Sequence, residues 1–575
     1  MMRRRSDLPP VGPQPWSALI PSDSFYARLG SVRDILVTDE AYAPLYKDSK
    51  KGQPSIPPSL VVLAILLQYH DDCSDLEAEM RVRFDLRWKH ALGLDLQDRG
   101  FDATVLCRFR RKLLDQGLER ELFERLVGAA REAGLLTKDA EQLVDSSHVL
   151  GAAGVRDTYT LLRGGIRKLL RALGYTPSRR GELGERLGWY LDPEMPEKPQ
   201  LDWSDPEARR EQLREVVGDA RAALALAGGE EQSPAVTEAS ALLAKIAADD
   251  VEEGPPPVPK RPGRPRKRQA QPVEPVSDQG TCETAGPRLR QGVAKDRVLS
   301  VVDPEMRVGH KSKRQAWAGY KTHISEEPAS ELITAVEVRA ANEYDAEAVV
   351  GLVRGQESVG LKPKAVLCDG AYGTADARAD LGELGVEVVA KLRPLTDSKH
   401  IGKEEFVIDL QAHGGGGSVR CPAGVETADR RMTRDGKNRP VVLFRFPRRV
   451  CEECRMRERC LGGARGRAQW PVREPPGRQV QLHYHEKVLQ EARAAQRTPE
   501  QKRELRERLR PRAKVERKIS ELMRLHGLRQ GRYIGLAKTG LQAVLTATMV
   551  NTKRLLTLAA TEPETASALR WSLAR

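Results

Sequence analysis

A short apolar run that ends in an acid constrains this chain more than any other stretch. Ala365, Val366, Leu367 and Cys368 follow one another with no polar residue among them, the pattern of a strand buried on both faces of a sheet. The run leads into Asp369 and a Gly-rich turn, Gly370-Ala371-Tyr372-Gly373. An acid at the carboxyl end of such a strand lies in the crevice where open α/β sheets put their chemistry. The question the sequence poses is which other acids could join Asp369.

Two stretches offer them. Leu143 to Leu150 reads as a strand, with Asp145 set between aliphatic neighbours where an unpaired charge would be expensive. Far downstream, Arg512 to Met523 reads as a helix whose apolar stripe is Val515, Ile519, Leu522 and Met523, with Glu516 at the stripe's edge. Two strand-borne Asp and one helix-borne Glu can converge on one point, and the long gaps between them call for inserted regions.

With 575 residues the chain is long enough for several cores, and length alone suggests roughly three or four domains. The 95 Lys+Arg outnumber the 81 Asp+Glu, an excess of +14 that suits a polyanionic partner, nucleic acid first; a generally basic protein is the plain alternative. The longest apolar run, Leu60 to Leu67, is much too short for a bilayer, and Met1-Met-Arg-Arg-Arg lacks the apolar core of a signal peptide. No membrane is expected. Of the eight Cys, those at 73, 107, 282 and 368 are scattered and give no disulfide framework.

Taken in order, residues 1–20 form a Pro-rich tail expected to be disordered, and 21–140 read as helices, including Ser59 to His70, Asp75 to Leu92 and Asp102 to Asp115. In the last, Leu106, Phe109 and Leu113 share a face while Arg108, Arg111 and Lys112 lie largely elsewhere; this suits phosphate contact or simply a solvated bundle face. The Asp145 strand spans 141–150. Residues 151–292 are a helical insertion, with helices at Leu161 to Leu173, Asp205 to Ala227 and Ala235 to Ala248, running into a basic Pro-rich linker. Arg163, Arg167, Lys168 and Arg171 interleave with the apolar residues of the first of these helices. Residues 293–395 return to α/β pattern. Strands are expected at Val298 to Val302, Tyr320 to Ser325, Leu332 to Arg339 and Val386 to Leu392, with helices at Ala346 to Gln356 and Ala375 to Leu384. Residues 396–475 are a Cys/Arg-rich insertion, and 476–575 are helical and carry Glu516.

Several short pieces together resemble one family. They are Phe84 to Gly93, Thr104 to Arg111, Val144 to Ser147, Gly319-Tyr-Lys321, Cys368 to Gly373, Arg512 to Glu516, Gly531 to Leu536 and Asn551-Thr-Lys-Arg554. In this order the chain resembles the DDE transposases of bacterial insertion sequences, whose catalytic domain is RNase H-like. The resemblance implies an α/β fold with an RNase H-like mixed-sheet core, a helical N-terminal DNA-binding domain for the element's ends, a helical insertion after the first strand and a small Cys-containing insertion before the Glu helix.

The resemblance also implies the chemistry. Asp145, Asp369 and Glu516 would be the catalytic acids holding two Mg²⁺, or Mn²⁺, with Asp145 bridging both ions, Asp369 holding one and Glu516 the other. Hard cations take carboxylate oxygens, and two of them can activate the attacking oxygen and stabilise the departing one in phosphodiester chemistry. Strand cleavage and transfer of an insertion sequence into double-stranded DNA is the implied function, in a homodimeric synaptic complex, in the cytoplasm beside the nucleoid. A DNA-binding protein without chemistry and a related metal-dependent endonuclease are the alternatives. Glu516 follows Arg512 by four residues, as in many related transposases, but Leu509 and Met523 stand where that signature has Tyr and a cation, and Glu521 is a rival.

Lys260 to Arg268 resembles an AT-hook, with Gly263-Arg264-Pro265 as the core and Arg261 and Arg266 beside it; a basic linker touching phosphates is the plainer reading. Further DNA contacts are expected at Lys321, Arg512, Arg532 and Lys538. Cys421, Cys451, Cys454 and Cys460 could make a tetrahedral structural Zn²⁺ site, though they could equally be reduced thiols. His148 should point away from Asp145 by strand alternation, and Tyr372 either packs or touches DNA.

Overall fold

The computed structural model describes the chain apart from residues 1, 9, 10, 13, 47–53, 229–231, 255–285, 313, 393–400, 413–415, 437, 462–476 and 575. It is a mixed α/β protein with a helical N-terminal region. The central sheet contains β1 (Gln142–Leu150), β2 (Arg307–Ser312), β3 (Gln315–Glu326), β4 (Ile333–Ala340), β5 (Ala365–Leu367) and β6 (Glu387–Val389). Its order is β2-β3-β1-β5-β6, with β4 sharing the edge of β3 that β2 occupies. The β1–β3, β2–β3 and β3–β4 pairs are antiparallel, while β1–β5 and β5–β6 are parallel.

Strand alternation divides this sheet between two cores. Leu143, Val149, Ala365 and Leu367 face one core, and Val144, Val366 and Cys368 face the other. On the second face lie the helices Val349–Ser358 and Ala375–Glu383. The first face carries the Glu516 helix (Ala513–Arg524), whose Val515, Leu522 and Met523 enter the same core as the N-terminal helices and the long helix Leu536–Thr561. The N-terminal helix Pro58–His70 is buried almost all round, so that region shares the sheet's core.

The Glu516 helix forms for readable reasons. Pro511 sits in the tight turn Arg510–Arg512 just ahead of it, where a missing N–H costs nothing. Glu516 in its first turn and Arg524 in its last complement the helix dipole. Each fully buried aliphatic of its stripe contributes about 1.5–3 kcal/mol, so packing onto β1 holds the helix in place.

The insertion after β1 has its own core, built by the helices Thr158–Ala172, Pro206–Leu226 and Pro234–Asp250. The ribbon Val251–Gly254 with Gly286–Leu289 follows, and the AT-hook-like stretch with Arg261, Arg264 and Arg266 lies outside the described residues, as does Cys282. The Cys-containing insertion is two small antiparallel sheets around a separate apolar cluster that includes Val419, Phe444 and Phe446. No described helix is long and apolar enough to cross a membrane.

Three expectations change. Val298 to Val302 is not a strand: Val298 is buried in the insertion's core and Leu299 in the main core, so the run is a crossing segment that pins one to the other. The helix expected over Asp75 to Leu92 breaks at Asp85, whose carboxylate caps Leu86–Leu92 by accepting the Arg87 N–H at 2.9 Å. The described part of the tail over 1–20 is docked: the Arg5 N–H donates to Asp39 Oδ2 at 2.6 Å, and its guanidinium donates to the Leu92 carbonyl.

Candidate active site

Register brings the two aspartates together. Leu143 of β1 stands beside Leu367 of β5 in parallel pairing, so two residues further on Asp145 is beside Asp369, where β5 leaves the sheet. Both belong to the alternation that faces the Glu516 helix. One oxygen of Asp369 accepts the Ala371 N–H at 2.7 Å, an Asx turn that fixes the carboxylate, and Asp145 Oδ1 accepts the Ser146 N–H at 2.8 Å.

The helix supplies the third acid and a counter-charge. Arg512 Nη2 stands 3.8 Å from Asp145 Oδ2 and 3.8 Å from Glu516 Oε1, bridging strand and helix, and its buried Nε makes no hydrogen bond. Asp369, Glu516, Arg512, Lys391 and Arg506 line one cavity of 360 Å³. Burial pushes the Asp145 carboxyl up to about 6; the Ser146 N–H and Arg512 oppose the shift, while the charges of Asp369 and Glu516 add to it. Asp145, whose charge is costly where it stands, thus lies beside a cavity lined by two further carboxylates and three cations.

Glu521, the rival on the same helix, is spent elsewhere. His526 at 3.9 Å, Lys518 at 3.2 Å and Lys553 at 3.1 Å hold its carboxyl well below the usual range. The Glu516 side chain is 59% exposed and sits in the cavity. Lys391, just past β6, and Arg506, on the helix Pro499–Arg508, were not expected there; the one sequence signal was Lys391's place after a short apolar strand.

The other expected residues divide. Arg108, Arg111 and Lys112 are exposed on the helix Ala103–Gln116, Lys112 lying over the Tyr46 ring at 4.4 Å. Lys538 is exposed at the start of the long helix. Lys321 is not offered to a phosphate, because its ammonium donates to Asp345 Oδ1 at 2.7 Å and to the Glu343 carbonyl at 2.9 Å. Arg532 is likewise engaged, by Asp72 and by the Cys73 carbonyl at 2.8 Å. Tyr372 packs: it is fully buried, with its hydroxyl hydrogen-bonded to His323 Nδ1 at 2.7 Å. His148 lies against Trp317, ring centroids 4.9 Å apart.

Cys421, Cys451, Cys454 and Cys460 line one small cavity of 30 Å³ as free thiols, and burial, with the other three sulfurs nearby, pushes the Cys460 thiol up. Among the described residues, no three of these thiols or of the acids already stand in an arrangement that would hold a metal ion.

Comparison with known families adds two matches. The family described as Transposase domain (DUF772) matches residues 14–112, which take in the N-terminal helices through most of Ala103–Gln116. The family described as Transposase DDE domain matches residues 420–556, which include the four thiols, Arg512, Glu516 and most of the long helix; Asp145 and Asp369 lie outside both spans. No curated protein and no solved structure matches. One transposase family thus matches near each end of a chain whose sheet and Glu516 helix share a core, a DDE transposase domain behind an N-terminal transposase domain.

Proposed function

We propose that this transposase cuts and rejoins DNA at the 360 Å³ cavity, with Asp145, Asp369 and Glu516 as its metal-holding acids. The observation that carries the reading is the approach of Asp369, just past the end of β5, to Asp145 on the parallel neighbour β1, with Glu516 joined to Asp145 from the packed helix through Arg512. The sheet supports an RNase H-like core: three antiparallel pairings and two parallel ones, with the first acid on the strand that makes one of each.

The donor set fits Mg²⁺ or Mn²⁺, since all three groups are carboxylates and hard cations prefer oxygen. Arg512 at present supplies part of the positive charge they call for. The chemistry that a pair of such ions supplies is activation of the attacking oxygen and stabilisation of the departing one. The chain's own residues do the rest. The Asx turn keeps Asp369 oriented, burial leaves Asp145 poised to gain from a cation, and Lys391, Arg506 and Arg512 neutralise phosphate oxygens of the strand laid across the opening. Water is the first nucleophile and frees a 3′-hydroxyl, which then attacks target DNA.

The exposed Arg108, Arg111, Lys112 and Lys538 are read as contacts to the element's ends, in a homodimer that pairs two ends in the cytoplasm. The four thiols sharing one cavity are read as a structural Zn²⁺ site, the thiolate-rich set such ions prefer. The test is strand cleavage and joining on DNA carrying the element's own ends with Mg²⁺, wild type against Asp369→Asn. Retained binding with lost cleavage in the variant supports the reading. A wild type that binds and never cuts makes this a DNA-binding protein, and one that cuts without joining makes it an endonuclease.

A further inference from the structure

A second cavity, of 470 Å³, lies at the root of the helical insertion. Its wall is one face of the helix Thr158–Ala172, presenting Thr160, Arg163, Arg167, Lys168 and Arg171 at helical spacing. Its floor is the crossing segment Ser300-Val301-Val302. Gly164 lets the two approach, since a Cβ there would stand 3.2 Å from Val301 Cγ2. The Arg156 N–H donates to the Leu299 carbonyl at 2.9 Å, tying the two ends of the insertion together beside the cavity.

The charge is one-sided. Five cations face one carboxylate, Glu197, which pairs with Arg156 at 2.8 Å, while Lys168 pairs with Glu238 at 2.8 Å outside the lining. Arg163, Arg167 and Arg171 have no carboxylate partner among the described residues. Arg163 is 8% exposed, gives Nη2 to the Pro196 carbonyl at 3.0 Å and leaves its buried Nε without a hydrogen bond. Arg167 is held open by the Tyr190 carbonyl at 2.9 Å. Burial above all depresses Arg163 and Arg167 below their usual range, a cost that a bound anion would relieve. At Arg163, Tyr190 opposes the shift and Arg167 adds to it; at Arg167, Arg171 adds to it and Glu197 opposes it.

We infer that this cavity binds a backbone phosphate of duplex DNA, independently of the acid site. Forked guanidiniums suit the paired oxygens of a phosphate, and the exposed Arg171 and Val302 leave the mouth open to a ligand too large to enter whole. At no more than about 3.5 Å per residue, the chain from Asp145 to Arg156 spans about 40 Å at most. The Arg156 end of the cavity therefore lies within little more than a turn of duplex, about 34 Å, of Asp145. The inference rests on DNA being the substrate.

The test is binding of the full-length protein to a random-sequence duplex of several turns, followed by fluorescence anisotropy across a salt series. Loss of one phosphate contact in Arg171→Gln is expected to lower the slope of log affinity against log salt by about 0.9 and to weaken binding several-fold, with Arg171→Lys keeping both. Wild-type binding with an unchanged slope in Arg171→Gln overturns the inference and leaves the proposed function standing. No wild-type binding at all overturns both. An unchanged slope together with melting stabilised by inorganic phosphate in wild type, and not in Arg171→Gln, assigns the cavity to free phosphate and overturns the DNA source.

Discussion

The two cavities on either side of the insertion's root differ in sign more than in size. The cavity beside Asp145 mixes two carboxylates with three cations, and Arg512 pairs with both Asp145 and Glu516. The cavity in the insertion gathers five cations against Glu197 alone. A mixed set can hold a metal and still meet phosphate, which chemistry requires, whereas a one-signed set can only grip an anion. On the proposed function, the fold separates where DNA is cut from where it is held.

The strongest way to break this contrast is to neutralise an acid in the mixed site. Metal ligation supplies several kcal/mol of transition-state stabilisation, so Asp145→Asn is expected to lower cleavage on the order of a thousandfold while duplex affinity stays intact. Gel assays of cleavage and of binding, run in parallel, check both halves.

A sharper test separates acids that work from acids that are merely buried. Glu326 lies on the same face of the sheet as Asp145, fully buried, with both carboxylate oxygens unbonded, and burial raises it from 4.5 to about 7. The folded chain therefore keeps a proton that the unfolded chain has released, and stability falls as pH climbs from 4.5 to about 7. Glu326→Gln is expected to stabilise the protein by about 2–3 kcal/mol above pH 7 and to do little below 4.5. Denaturant melts at both ends of that range decide it.

Glu521 should behave in the opposite way. Removing its charge leaves Lys518, Lys553 and His526 without their partner, so Glu521→Gln is expected to destabilise by about 1–2 kcal/mol near neutral pH, read from the same melts. In the insertion, Arg171→Gln gives the smallest effect, the several-fold loss of affinity described above.

How much of this was legible follows from what each residue's neighbours reveal. The β1 and β5 strands were readable because aliphatic runs around an acid are rare outside a buried sheet, and the Glu516 helix because its stripe repeats at helical spacing. The adjacency of Asp145 and Asp369 depends on the register of strands far apart in the chain, which only the order of elements hinted at. Val298 to Val302 looked like a strand because it is apolar, yet its residues serve two separate cores. Lys321 and Arg532 show the limit for cations: in a sequence, a Lys whose partner is Asp345 looks the same as one awaiting a phosphate. Arg506 was missed because its helix carries little apolar pattern.

The most direct test of the central claim compares two glutamates on one helix. Cleavage of DNA carrying the element's ends, with Mg²⁺ and at a temperature where all proteins are folded, is measured for wild type, Glu516→Gln and Glu521→Gln. The account predicts that Glu516→Gln binds the ends and does not cut, while Glu521→Gln cuts like wild type despite its lower stability. Normal cutting by Glu516→Gln would contradict it.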